Sequence, residues 1–465
     1  MNASHRALSL QLAGSGGGRR AVVLVHNPIA PYSRALRVAR SLAVEGWEVI
    51  IAGLARPDLP EEDLDGDLRI VRVAPAGPLA RFVAAPGGRR ARLVATLDRV
   101  VGRVGRALAH VPGLGLLGVA RTPTPRRILG VVRWPLAARA WTAGLAGALP
   151  PADLYHACGV AALVAATDLA ARARQQGRAG RVVYDVIDLF LEGNRYATMP
   201  RPLRGRYGHL ERELVERADA VVTVNEVLAD ELAMRWRLRD LPVVLRNCPP
   251  WAPPPAHPRR LRDATGLPAG MRLVLFLGAL GPDRGLLEAG EAVLQVECAA
   301  FVALGFGPWY ERLRARDADP RFVGRHVTLP AVHPDHVREW AAGADAVVIA
   351  VPGDALNQRL STPNKFWEGL TAGIPLVVGK DLAVMRRIVE EHDLGAVTDP
   401  RDTDDLAAAL RAVLDAPPAV REARRQRALE LARSRYRWEV EVRDYLALVN
   451  SFVPGASAGP QGMMR

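Results

Sequence analysis

Residues Ser361–Pro375 read STPNKFWEGLTAGIP, and this stretch sets the fold class because it passes from a turn through a helix into an apolar run. Thr362 is a good N-cap and Pro363 suits the first helical position, where its missing N–H costs nothing, so a helix is expected to start here. Lys365 then falls in the first turn, where exposed amides and the helix dipole favour an anion, and Glu368 follows about one turn later. A phosphate with a hydroxylated group beside it fits that pair. Gly373 can close the helix in a left-handed cap, and Pro375 leads into the buried strand expected over Leu376–Val378.

Working outward, the same alternation recurs on both sides. Strands are expected over Leu273–Leu277, Phe301–Leu304, Val327–Leu329, Ala346–Ala350 and Ala396–Val397. Helices are expected from Gly285, from Pro308, and over Pro334–Ala342, Val384–Glu390, Thr403–Leu414 and Val420–Ser434. Upstream, strands over Ala21–Val25, Glu48–Gly53, Leu68–Val73, Leu154–His156, Val182–Asp185 and Ala220–Val224 alternate with helices over Ser33–Leu42, Ala161–Arg174, Arg204–Arg217 and Glu226–Trp236. Such alternation means an α/β chain with two doubly wound parallel-sheet, Rossmann-like domains facing a cleft. The segment NCPPWAPPPAHP (247–258) is too rich in proline for either element and is read as the hinge. It separates an N-terminal domain (21–246, with a basic insertion at 78–148) from a C-terminal domain (259–435). A last helix over 436–452 is expected to cross back, and 1–20 and 453–465 to be disordered.

A chain of 465 residues with 49% hydrophobic content can bury two large cores. It contains no apolar run of membrane-spanning length, and its start lacks the features of a secretory signal, so a cytoplasmic protein is expected. Cys158, Cys248 and Cys298 are too widely spaced for a disulfide framework or a zinc site. The net charge of +13 is concentrated between Arg81 and Arg139, where many arginines are opposed by Asp98 alone. That region suits an anionic membrane surface, placing the protein at the inner membrane face, or a lipid-linked acceptor; it fits a solvated helix pair equally well. Nucleic acid is not expected as a partner, because no recognised binding motif accompanies the charge.

The chain resembles the retaining, nucleotide-sugar-dependent glycosyltransferases of the GT-B fold, family four (glycosyl transferases group 1), in a subgroup with an STPNKxxE form of the donor motif. The resemblance rests on SRALRVARSLAVEGWEV (33–49), DLYHACG (153–159), YDVIDLFLE (184–192) and ADAVVTVNEVLADEL (218–232), then on FLGALGPDRGL, LGFGP, LPAV, GADAVVIA and LNQRLSTPNKFWEGLTAGIPLVV. It implies transfer of a sugar from a nucleoside diphosphate sugar, UDP- or GDP-linked, to a hydroxyl of a glycan, lipid-linked or small-molecule acceptor, as in polysaccharide biosynthesis. Retention at the anomeric carbon is implied, with no cofactor and no metal. Arg284 and Lys365 would hold the diphosphate and stabilise its developing charge, and Glu368 would bind the ribose hydroxyls. Gly281, Gly305 and Gly307 would let backbone approach the ligand, Val332 would meet the base, and Ser361, Thr362 and Asn364 would add polar contacts to the phosphate. In the first half, His156 is the catalytic candidate, and Asp185 and Asp188 are candidates for the acceptor or donor sugar.

Four positions depart from the common family pattern: Ala279, Cys158, Ile187 and Leu360. Leu360 stands where a glutamate would contact the donor sugar, and Asn357 and Gln358 are close enough in sequence to substitute. The pairs Asp63/Asp65 and Asp317/Asp319 are read as chance DxD patterns. Two other readings remain open: a non-catalytic sugar-nucleotide-binding scaffold, and a nucleotide-sugar epimerase on the same fold.

Overall fold

The computed structural model describes residues 18–29, 32–80, 125–193, 199, 201–255 and 258–452. The expectations for residues 1–17, for 81–124 of the basic insertion and for the tail at 453–465 lie outside the described residues.

The first sheet holds β1 (Arg20–Val25), β2 (Glu48–Leu54), β3 (Glu62–Asp65), β4 (Leu68–Val73), β5 (Leu154–Cys158), β6 (Arg181–Val186), β7 (Ala220–Thr223) and β8 (Val243–Val244). Its order is β3-β4-β2-β1-β5-β6-β7-β8. The β3–β4 pair is antiparallel, while β1 pairs in parallel with β2 and with β5. The second sheet holds β9 (Arg272–Ala279), β10 (Ala299–Phe306), β11 (His326–Pro330), β12 (Ala346–Ile349), β13 (Leu376–Gly379) and β14 (Gly395–Thr398), in the order β11-β10-β9-β12-β13-β14. Counted from its own first strand this is the 3-2-1-4-5-6 order of a doubly wound sheet, whose switch point lies between β9 and β12.

Strand periodicity explains why both faces of the second sheet are covered. Leu273, Leu275, Leu277, Val347 and Ile349 point into one core, together with Phe366, Trp367 and Leu370. Val274, Phe276, Phe301, Ala346 and Val348 point into the other, against Leu286, Val293, Leu406 and Leu410. By its contacts the chain forms two compact units: one of residues up to Val186, Thr198–Val221 and those from Leu446, the other of Ile187–Ala197 and Val222–Tyr445.

Several elements differ from the sequence reading. Pro334–Ala342 is a 3-10 turn (Pro334–His336) followed by a short helix, Val337–Ala341. The β3 strand was read as loop because its EDLD sequence is that of an exposed edge; Asp63 pairs with Arg72 and Asp65 with Arg40. Asp317 likewise bonds His326 Nδ1 at 2.6 Å and the Thr328 amide at 3.0 Å. Residues 125–148 of the basic insertion form one helix, Pro125–Ala148, with Pro135 inside it. No described helix is long and apolar enough to cross a membrane.

Candidate functional site

The helix that follows Ser361 and Thr362 spans Asn364–Thr371. Phe366, Trp367 and Leu370 are fully buried and anchor it. It ends as expected: Gly373 has φ +73, its amide bonds Leu370 O at 3.0 Å, and the Ile374 amide bonds Gly369 O at 3.0 Å, a Schellman closure. Its start differs. Pro363, with ψ 150, is the N-cap, and no side chain caps the helix. Thr362 is drawn away by tertiary partners, donating to Val224 O at 3.4 Å and accepting from Asn225 Nδ2 at 3.4 Å.

Lys365 is only 6% exposed, and its Nζ lies 3.4 Å from the centroid of the Phe276 ring. Among the described residues Nζ has no hydrogen-bond or ion-pair partner. Burial pushes its pKa well below the usual lysine value, the Arg284 charge pushes it further, and Glu368 partly opposes both. Arg284 is exposed and sits in the turn after β9. Gly285 sets that turn: it has φ +68, and a Cβ there would lie 1.9 Å from Ala350 O. Glu368 is half-buried one helical turn beyond Lys365. Thus two cations and a carboxylate come together at the carboxyl edge of the second sheet.

The remaining residues expected at this site make contacts within the chain. A Cβ at Gly305 would sit 1.8 Å from Gly278 O, and one at Gly307 would sit 2.4 Å from Leu280 O. Close packing of the β9 and β10 loops, fixed by Leu280 N to Phe306 O at 2.7 Å, accounts for both glycines without a ligand. Gly281 is buried beside Pro308, and Val332 is half-buried beyond β11. Ser361 Oγ donates to Gln358 O at 3.3 Å, and Asn364 Oδ1 accepts from Asn247 Nδ2 at 2.6 Å. Asn357 accepts from the Leu189 amide at 2.6 Å and donates to Asp188 Oδ1 at 2.9 Å. Gln358 accepts from the Ala355 amide at 3.1 Å and donates to Asp283 O at 3.4 Å. Asp188, Asn357 and Gln358, expected to meet sugar hydroxyls, are therefore engaged with one another or with backbone.

In the first unit, His156 and Asp185 are wholly buried and Arg34 is 2% exposed. Arg34 grips both Asp185 oxygens, Nε to Oδ2 at 2.6 Å and an Nη to Oδ1 at 2.7 Å. His156 Nε2 lies 3.1 Å from Oδ2, and Cys158 Sγ lies 3.9 Å from the same oxygen. Burial alone would raise the Asp185 pKa, but the Arg34 charge and the hydrogen bonds from His156 and Arg34 outweigh it and hold the pKa at about 2. Burial and the Asp185 charge push the Cys158 thiol well up. His156, Cys158 and Asp185 place their donor atoms within 4.8 Å of one another, as metal ligands would. The Arg34 fork already neutralises that carboxylate, so the set does not suit an added cation. Both His156 and Asp185, expected at a ligand surface, lie in this internal cluster.

The sequence reading missed Arg34, Phe276 and Asn225. Asn225 caps the Glu226–Trp236 helix, accepting from the Leu228 amide at 2.8 Å, and donates to Leu360 O at 2.7 Å. Its N-cap role was readable from the Asn before the helical pattern. The other two act across 151 residues (Arg34 on Asp185) or from a neighbouring strand, which local pattern does not report.

Residues 271–416 match the family model described as Glycosyl transferases group 1. No curated protein matches by sequence search. Among solved structures, sucrose-phosphate synthase from Thermosynechococcus elongatus is 15% identical with a TM-score of 0.65, covering 93% of this chain and 98% of that one. Anabaena Alr3699/HepE, solved in complex with UDP and glucose, is 16% identical with a TM-score of 0.59, covering 93% and 100%. The α,α-trehalose-phosphate synthase (UDP-forming) of Burkholderia xenovorans, in complex with glucose-6-phosphate, is 15% identical with a TM-score of 0.59, again covering 93% and 100%. The chain shares the two-sheet α/β architecture of these proteins, the GT-B fold.

Proposed function

We propose that the protein is a glycosyltransferase that moves a sugar from UDP to an acceptor hydroxyl, with the diphosphate held at the start of the Asn364–Thr371 helix. The observation that carries this reading is Lys365: a buried ammonium with no ion-pair partner among the described residues and with Arg284 adding charge of the same sign. A diphosphate beside both cations would oppose each effect that depresses the lysine's pKa. UDP is favoured over GDP by the UDP found with HepE and by the UDP-forming synthase among the structural neighbours. The glucose-6-phosphate found with the latter favours a sugar or sugar phosphate as acceptor.

The transition state is oxocarbenium-like, and charge grows on the leaving diphosphate as its bond to the anomeric carbon breaks. Lys365, buried against Phe276, and the first amides of the helix are fixed before that charge develops, which is the condition for strong electrostatic stabilisation, and Arg284 adds a second cation from the adjoining turn. Front-face delivery of the acceptor, with retention, is the stereochemistry this reading adopts. Glu368 would accept hydrogen bonds from the ribose hydroxyls, so Glu368→Ala should weaken UDP binding by ~1 to 3 kcal/mol. Calorimetry with UDP tests the donor site, and an unchanged affinity in the folded variant would overturn the ribose role. UDP release in the presence of sugar acceptors tests transfer. Binding without release would support the scaffold reading, and interconversion of donor sugars without an acceptor would support the epimerase.

A further inference from the structure

The chain contains two lysines, Lys365 and Lys380, and their surroundings are opposite. Lys380 is exposed, and its Nζ donates to Asp399 Oδ2 at 2.7 Å, which raises its pKa above the ordinary lysine value. Lys365 is buried with its Nζ on the Phe276 ring, and among the described residues no oxygen accepts from it. The π face of the ring returns only part of the hydration that an ammonium gives up on burial.

The neighbours of Lys365 do not make up the difference. Arg284 acts on it with the same sign and Glu368 with the opposite sign, and neither bonds it. In the turn that holds Arg284, Asp283 is exposed. The strands under the Asn364–Thr371 helix bring no counter-ion: β12 and β13 carry no titratable residue, and β9 carries only Arg272, at its opposite end and paired with Asp415. In the Val337–Ala341 helix, Arg338 bonds Ala252 O and Pro253 O, and Glu339 pairs with Arg260. The Pro418–Ser434 helix meets the far end of the Asn364–Thr371 helix, where Arg425 and Leu429 lie beside Gly373. The protonated form of Lys365 is therefore at a disadvantage in the free protein, in keeping with its depressed pKa. A diphosphate supplies what the fold withholds, a charge of opposite sign on oxygens that accept from the ammonium.

We infer that Lys365 takes up a proton when a nucleoside diphosphate binds, so that donor binding is linked to pH through this one side chain. The inference rests on the donor-site reading, which it deepens. By reciprocity, the factor that protonation adds to the affinity for the diphosphate is the factor that the diphosphate adds to the affinity for the proton. Affinity is therefore level at pH values below the pKa of the free lysine. It falls as pH rises through the window between the free and bound pKa values, approaching about tenfold per pH unit where the two are far apart.

The test uses the full chain with ¹³C at the lysine Cε, titrated with acid and base in the presence and absence of saturating UDP. The two signals are told apart by the one lost in Lys380→Arg. The expected result is that Lys365 titrates below Lys380 in the free protein and moves up by at least about one pH unit with UDP. UDP calorimetry in buffers of different ionisation enthalpy should show proton uptake that disappears in Lys365→Arg, whose guanidinium stays charged throughout. The ionisations of UDP itself are common to both proteins and cancel in that comparison. The inference is overturned if Lys365 titrates together with or above Lys380, or if UDP binds and leaves the Lys365 titration unmoved. If Lys365→Arg does not fold, the lysine titration of the wild-type protein decides alone. Failure of the wild-type protein to bind UDP would instead remove the donor reading, and this inference with it, wherever Lys365 titrates.

Discussion

Around Asp185 the first unit gathers an opposite charge at bonding distance, whereas around Lys365 the second unit sets a like charge, Arg284, whose effect Glu368 opposes without bonding the ammonium. The Arg34 fork and His156 surround the buried carboxylate and complete its hydrogen bonds. Lys365, nearly as buried, lies over a phenyl ring with Arg284 as its repulsive neighbour. Burying a charge is costly unless it is paired. A closed cluster therefore contributes to the stability of its own fold, while an open one keeps its free energy for a ligand of opposite sign.

The comparison can be broken by removing one charge from each region. Arg34→Met should lower stability by about 3–5 kcal/mol, because it leaves the Asp185 carboxylate buried without its counter-ion. Denaturant unfolding measures this, and a loss under about 1 kcal/mol would show the cluster to be no tighter than a surface pair. Lys365→Met should do the reverse: the melting temperature stays level or rises, because a desolvated charge is gone, while UDP binding weakens by roughly 2–3 kcal/mol. A large drop in melting temperature with intact UDP affinity would make Lys365 a structural residue.

Acid provides a gentler probe of the same contrast. The Asp185 pKa is depressed to about 2, so its contribution is complete above its ordinary value near 4 and is lost as the pH falls from there toward 2. The loss is on the order of 2 kcal/mol and should be absent from the pH profile of Arg34→Met. The smallest effect is expected at Thr362, whose two hydrogen bonds are both 3.4 Å long. Thr362→Val should cost under about 1 kcal/mol in stability, and UDP titration should show whether the hydroxyl matters to the ligand.

Much of the alternation of strands and helices was legible because burial on both faces writes continuous apolar runs, as in Leu273–Leu277 and Leu376–Val378. The β3 edge was not, since an exposed strand carries no such run. The helix cap at Gly373 was legible because glycine readily adopts a positive φ. The start of the same helix was misread by one residue, because Thr362 finds partners on Val224 and Asn225 that local rules cannot see. Glycine turns were legible as turns, yet the reason for Gly305 and Gly307 is the neighbouring chain at Gly278 and Leu280.

By itself, the sequence determined the α/β class, the run of elements around Ser361–Pro375, and the placing of Lys365 and Glu368 one turn apart on one helix. These follow from periodicity and backbone preference, which act over a few residues. Only the tertiary structure decided that Lys365 is buried against Phe276, that Asp185 answers to Arg34, and that the His26 ring packs edge-on against Trp141. Desolvation and Coulomb interactions depend on distance in space, and strands far apart in the chain meet only when the sheets form.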